Sequence, residues 1–262
     1  MMPEVGNYLL CLALGVALLL GIYSLWGAAR QDVRLIALAR PLACALFALV
    51  FASFLLLVYA LVINDFTVLY VVNNSNRALP VWYRVAAAWG AYEGSLLLWV
   101  LLMSSWTFAV AMLSRGMSSD AVARVLAVMG MINVGFLLFI VLTSNPFTRT
   151  LPDYPIEGRD LNPLLQDIGL IFHPPLLYMG YVGFSVAFAF AVASLLAGRL
   201  DNAWARWSRP WTQAAWSWRK QQLMRASPAI STPHWGKSWM TAVGRYGSIT
   251  NLLCSGSGTA VD

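Results

Sequence analysis

Long apolar runs alternate with shorter polar, turn-rich stretches through the first two hundred residues. Five runs reach membrane length: Tyr8 to Trp26, Pro41 to Ile63, Ser95 to Leu113, Val122 to Leu142 and Leu176 to Ala197. Each holds about 20 residues, and at ~1.5 Å rise per residue such a helix crosses a ~30 Å hydrocarbon core. The pattern predicts an all-α fold, a polytopic membrane helix bundle with five transmembrane helices. The first run does not read as a cleavable signal peptide, because its start lacks a basic region and carries Glu4, and no small-residue cleavage site follows.

Composition agrees with the pattern. Hydrophobic residues make up 60% of the chain and charged residues only 11%, against about 25% charged in a soluble domain. The net charge is +6, but the arginines are spread over the connections between apolar runs, so this basicity is no nucleic-acid footprint. Cys11 and Cys44 lie in apolar runs and Cys254 near the end, with no Cys-x-x-Cys pair to indicate a redox motif or zinc site.

Arginine placement predicts orientation. Arg30, Arg34 and Arg40 lie between the first two runs, Arg115 and Arg124 flank the third connection, and Arg199, Arg206 and Arg209 follow the fifth run. The longer intervening loops hold only Arg77, Arg84, Arg149 and Arg159. Cytoplasmic loops concentrate Lys and Arg. The N-terminus is therefore expected outside, together with loops 64–94 and 143–172.

The outer loops carry the candidate chemistry. Trp82, Tyr83 and Trp99 read as aromatic anchors at the membrane boundary, and Glu93 as an acid favoured by a helix N-terminus. Asn162-Pro163 is a helix-start signal, and the leucines and isoleucines from Leu161 to Ile171 predict a short helix lying in the interface. Asp153, Glu157, Asp160 and Asp167 make this loop acidic. Asn133, inside the fourth run, is expected to hydrogen-bond another helix. His173 stands where the loop meets the fifth run. Pro174 is expected to push it out of the helical region, with both prolines in the first turn of the helix. Its plainest role is an interfacial residue bonded to a loop; the sharper one is a metal ligand.

The motif His173-Pro-Pro-Leu-Leu-Tyr-Met-Gly-Tyr181 resembles the signature of the haem-handling proteins of cytochrome c biogenesis, in particular the CcmF (cytochrome c maturation F) haem lyase family. Asn73-Asn-Ser-Asn76, Trp89-Gly-Ala-Tyr-Glu-Gly-Ser-Leu-Leu-Leu-Trp99 and Thr143-Ser-Asn-Pro-Phe147 extend the resemblance over Met1 to Trp216. It implies that His173 is an axial ligand to the iron of haem b, at the outer face of a bacterial inner membrane. It further implies delivery of haem for covalent attachment to apocytochrome c. The implied partners are haem, apocytochrome c, a haem chaperone, other maturation membrane proteins and lipid. Tyr92 stands where many relatives are expected to carry a histidine. Two other classes remain, a small-solute or ion carrier and a structural membrane subunit without haem. The absence of ionisable residues between the ends of the runs counts against the carrier.

Residues 1–216 are read as this membrane region and 217–262 as an atypical, disordered, basic, Ser/Gly-rich tail. Arg209 to Trp216 reads as the start of a sixth helix that does not continue. The family's Trp-rich haem platform is expected in this region, and Trp235-Gly-Lys-Ser-Trp239 matches it poorly. The tail is expected to be out of frame or degenerate, the alternative being a basic tail that touches anionic lipid. His234 is taken as incidental. The chain alone is thus expected to form at most a partial haem site and not to complete haem attachment.

Overall fold

A computed structural model describes residues 2–114, 116–150, 152–153, 155–198, 208–214 and 216–217. The chain divides into two units, Met1–Arg219 and Lys220–Asp262, and the second lies outside the described residues. The first unit is built from α1 (Met2–Arg30), α2 (Val33–Ile63), α3 (Leu69–Asn74), α4 (Val81–Ala86), α5 (Tyr92–Leu113), α6 (Ser119–Thr143) and α7 (Ile168–Ala197). Short 3-10 turns occupy Ala87–Trp89 and Pro163–Leu165. Among the described residues five helices, α1, α2, α5, α6 and most of α7, are long and apolar enough to cross a membrane. The chain is an all-α, multi-pass membrane protein.

The helices outrun the apolar runs where a cap is available. Asp32 starts α2, its carboxylate accepting from Arg34 N at 2.9 Å, so Pro41 falls inside the helix. Asn64 ends α2 in the left-handed conformation at φ 54° and returns its N–H to the Ala60 and Leu61 carbonyls, a helix stop that Asn tolerates better than most residues.

At α7 the same effect overturns two expectations. The helix begins at Ile168, capped by Asp167, which accepts from Gly169 N at 2.7 Å. His173 and both prolines therefore lie inside it. The segment from Ile168 to Phe172 joins the membrane helix instead of forming a separate interfacial one, and Asn162-Pro163 starts only a 3-10 turn. The preference against helix before proline is a bias, not a prohibition. A capped, apolar helix start outweighs it in a setting where the backbone must be bonded internally.

Packing relies on small residues. α1 turns Ala13, Ala17, Gly21, Ser24, Gly27 and Ala28 inward. A Cβ added at Gly21 would lie 2.5 Å from Met131 Sδ, and one at Gly130 3.0 Å from Leu20 Cγ. Such close backbone approach is how helices associate where lipid removes the hydrophobic drive. α5 packs against α2, α6 and α7. Asn133 of α6 donates to Thr107 Oγ1 of α5 at 3.3 Å, as expected of it, and to Met129 O at 2.9 Å. Residues 208–214 and 216–217 are helical, and Trp211 meets Trp106 edge-on, with ring centroids 6.4 Å apart. The expected tail beyond Ser217 lies outside the described residues.

Candidate functional site

The two long connections, residues 64–91 and 144–167, are bonded to each other at one end of the bundle. Val68 and Arg149 form an antiparallel bridge, with Leu69 N donating to Thr148 O at 2.8 Å and Thr150 N to Thr67 O at 3.1 Å. Farther along, Arg159 N donates to Val72 O at 2.6 Å, and Arg77 N to Glu157 Oε1 at 2.8 Å. The start of α1 joins them. Asn145 Nδ2 donates to Asn7 Oδ1 at 2.7 Å, and Arg149 pairs with Glu4.

Two groups fasten the inside of this cap. Arg84 spreads its guanidinium over three carbonyls, Leu79 O at 2.7 Å, Val62 O at 3.0 Å and Arg77 O at 2.8 Å. It thereby ties the cap to the end of α2, a use that suits the fixed donor fork of arginine. Tyr70 is buried and donates to Ala87 O at 2.8 Å, while its oxygen accepts from Ala91 N at 3.3 Å. Burial pushes its hydroxyl well above the usual tyrosine range. Gly94 is required beside it, because a Cβ there would lie 2.1 Å from Ala88 O and 2.3 Å from Tyr70 Oη.

His173 lies beyond this cap in the second turn of α7. Its side chain is half-buried, and among the described residues no hydrogen bond involves the imidazole. The polar groups leading to it are all engaged. Tyr83 Oη donates to Gln166 O at 2.9 Å, Gln166 Nε2 to Leu161 O at 2.9 Å, and Asp167 caps α7. Pro174 and Pro175 have no N–H, so the Leu170 and Ile171 carbonyls lack their intrahelical donors. Deeper in the bundle α7 is held by aromatic contacts. Trp99 meets Tyr178 edge-on at 5.3 Å and Phe136 at 6.0 Å, and Trp106 Nε1 donates to Met179 O at 3.2 Å.

Several sequence expectations change here. Half-buried Tyr83 donates to Gln166 O and half-buried Trp99 packs on Phe136 and Tyr178, whereas Trp82 is 65% exposed. Glu93 lies in the first turn of α5, as expected. Of the loop acids, Asp153, Glu157, Asp160 and Asp167 are all exposed, but Glu157 and Asp167 also bond the backbone. Among the described residues no three His, Cys, Asp or Glu side chains gather as a metal cluster. Sequence reasoning missed Arg84 and Tyr70. The one available signal was a loop arginine with no nearby acid in sequence to solvate it.

Comparison with known proteins supplies the lineage. Residues 89–219 match the family described as cytochrome C assembly protein. The chain is 68% identical over 240 residues to the cytochrome c-type biogenesis protein CcmF of Escherichia coli K12, covering 91% of this chain and 37% of that protein. It is 62% identical over 216 residues to the CcmF of Haemophilus influenzae, covering 82% of this chain and 33% of the relative. A solved structure titled cytochrome c heme lyase CcmF superposes with a TM-score of 0.71 at 31% identity, over 83% of this chain and 34% of the other. The chain thus spans about a third of the length of the relatives it matches. With half its residues inside the family match and CcmF proteins as its relatives in both sequence and structure, the chain belongs to the cytochrome C assembly protein family.

Proposed function

We propose that this chain is a membrane-embedded part of a haem-handling subunit of cytochrome c-type biogenesis, in which His173 provides an axial ligand to the iron of haem b. The observation that carries this reading is the half-buried imidazole of His173, without a hydrogen bond among the described residues while Tyr83, Gln166 and Asp167 are all engaged. A porphyrin supplies its own equatorial nitrogens and asks the protein for axial donors, so one well-held histidine is the relevant unit and a multi-ligand cluster is not. When bound, haem supplies the vinyl groups that join the thiols of apocytochrome c. The chain's part is to hold the ligand, fix its direction and shape the surroundings.

The arginine distribution supports a position for the cap and His173 on the periplasmic side of a bacterial inner membrane. The partners on that side are apocytochrome c, a haem chaperone and other maturation membrane proteins, with lipid around the bundle. The carrier reading finds no support. The spans keep Arg34, Arg40, Glu93, Asp120 and Arg124 near their ends, and the polar pair inside them, Asn133 and Thr107, is neutral.

The test is haem titration of the purified chain in detergent, monitored by the Soret band. His173→Ala should remove all but weak residual haem binding and leave membrane insertion intact, since it changes no apolar run length. Unchanged haem occupancy in that variant would return His173 to an ordinary loop-proximal histidine.

A further inference from the structure

We infer that Tyr83 is a positioning residue for His173, an inference that rests on the haem-ligand reading above. Pro174 and Pro175 remove two consecutive N–H donors from the helical ladder immediately after His173. The segment from Ile168 to His173 is therefore joined to the rest of α7 with its hydrogen bonds interrupted, and proline is where helices bend. The direction of the imidazole then depends on what holds the start of α7 from outside.

That hold is specific. Tyr83 in α4 donates its hydroxyl to the Gln166 carbonyl at 2.9 Å, the residue just before the Asp167 cap. Gln166 in turn reaches back to Leu161 O at 2.9 Å. Leu161 is buried, and it lies with Leu165 against Gly90, where an added Cβ would be 3.0 Å from Leu161 Cδ1 and 3.2 Å from Leu165 Cδ1. Gly90 leaves room for this seat. The segment around Tyr83 and Gly90 belongs to the first long connection, and Leu161 to Gln166 to the second, which leads directly into α7. Tyr83 thus carries the rigidity of the Arg84-fastened cap to the one turn of α7 that its own ladder holds poorly. Tyr83 acts through the start of α7 and sets where the ligand points.

The test is a double-mutant cycle in haem affinity, measured on the full chain in detergent. Tyr83→Phe keeps the ring and removes the hydroxyl. It should weaken haem binding about fivefold, the effect of one lost hydrogen bond, while thermal unfolding confirms that the variant is folded. His173→Ala should weaken binding far more, and Tyr83→Phe combined with His173→Ala should be no weaker than His173→Ala alone, because a group acting through the ligand has nothing left to position. An unchanged affinity in Tyr83→Phe overturns the inference while leaving the ligand assignment standing. Additive losses overturn it too, since they would mean that Tyr83 supports the scaffold at large. If His173→Ala binds haem like the parent chain, the ligand assignment fails first and the positioning role falls with it.

Discussion

The cap made by residues 64–91 and 144–167 and the helical interior beneath it are held by different physics. In the cap, side chains bond backbone groups far away in sequence: Arg84 takes three carbonyls, Tyr70 bridges Ala87 and Ala91, and Tyr83 holds Gln166. In the interior, glycines, alanines and leucines interlock, and a few single contacts cross between helices: Asn133 to Thr107, Ser53 to Gly6 O and Trp106 to Met179 O. Such packing depends on shape fit between small residues, with no single bond fixing a direction. Under the proposed ligand role of His173, one imidazole would have to be held in one direction, and that demand would fall at the end where specific bonds are dense.

Two glycines contrast a position against the fixed backbone beside the cap with an open position on a membrane helix; other helix glycines, such as Gly21 and Gly130, are also tightly faced, by side chains. Gly94, at the cap, faces the backbone oxygen of Ala88, which cannot swing away. Gly15, within α1, has nothing within 4 Å of an added Cβ. Gly94→Ala should cost about 3 kcal/mol, at the upper end of ordinary overpacking, and Gly15→Ala should lie within about 0.5 kcal/mol of the parent. Thermal unfolding of the two variants in one detergent reads the contrast. Equal melting temperatures would mean that the backbone facing Gly94 yields as readily as the open space beside Gly15.

A smaller effect belongs to Tyr70. Tyr70→Phe leaves Ala87 O with the Gly90 N–H at 3.0 Å but deprives Ala91 N of its acceptor, a loss of about 1.5 kcal/mol. The hydroxyl also gives the cap a pH dependence of definite sign. Burial raises the folded pKa above the unfolded value of 10.0, so the folded state holds its proton more tightly. The contribution is intact below about pH 10 and is lost as pH rises from there toward the folded value. An alkaline titration of stability should fall more steeply for the parent than for Tyr70→Phe. Parallel curves would mean that water reaches the Tyr70 hydroxyl.

The interior was the readable part of the sequence because run length is a local property. Each apolar run marked a helix, and Asn133 could be assigned a helix partner because a lone amide in such a run has few other options. The cap was read less well, since its content is partnership over long separations. Nothing around Tyr83 announces a carbonyl 83 positions away, and an aromatic at a membrane boundary has an easier default role as an anchor. The start of α7 was misplaced for a related reason. The proline rule describes a dipeptide, whereas Asp167 and the apolar turn after it act on the whole segment. His173 itself drew attention through its motif, but its setting within the helix came only from the fold.

The smallest effect lies at the one contact between interior helices, among the described residues, in which both partners are side-chain N or O groups, Asn133 with Thr107, and it asks whether that contact matters at all. Asn133 Nδ2 reaches Thr107 Oγ1 at 3.3 Å, at the long end of hydrogen bonding, and it also has Met129 O at 2.9 Å. Thr107 likewise keeps Met103 O at 2.8 Å. Each group therefore retains a bond within its own helix when the other is removed. Measured interhelical hydrogen bonds in a membrane bundle average about 0.6 kcal/mol, because the separated helices also find partners. A cycle of Asn133→Ala and Thr107→Val, read by unfolding in detergent, should give a coupling near that ~0.6 kcal/mol. A coupling of ~2 kcal/mol or more, the scale of a hydrogen bond to a charged group, would place a specific polar lock inside the bundle and dissolve the division between cap and interior.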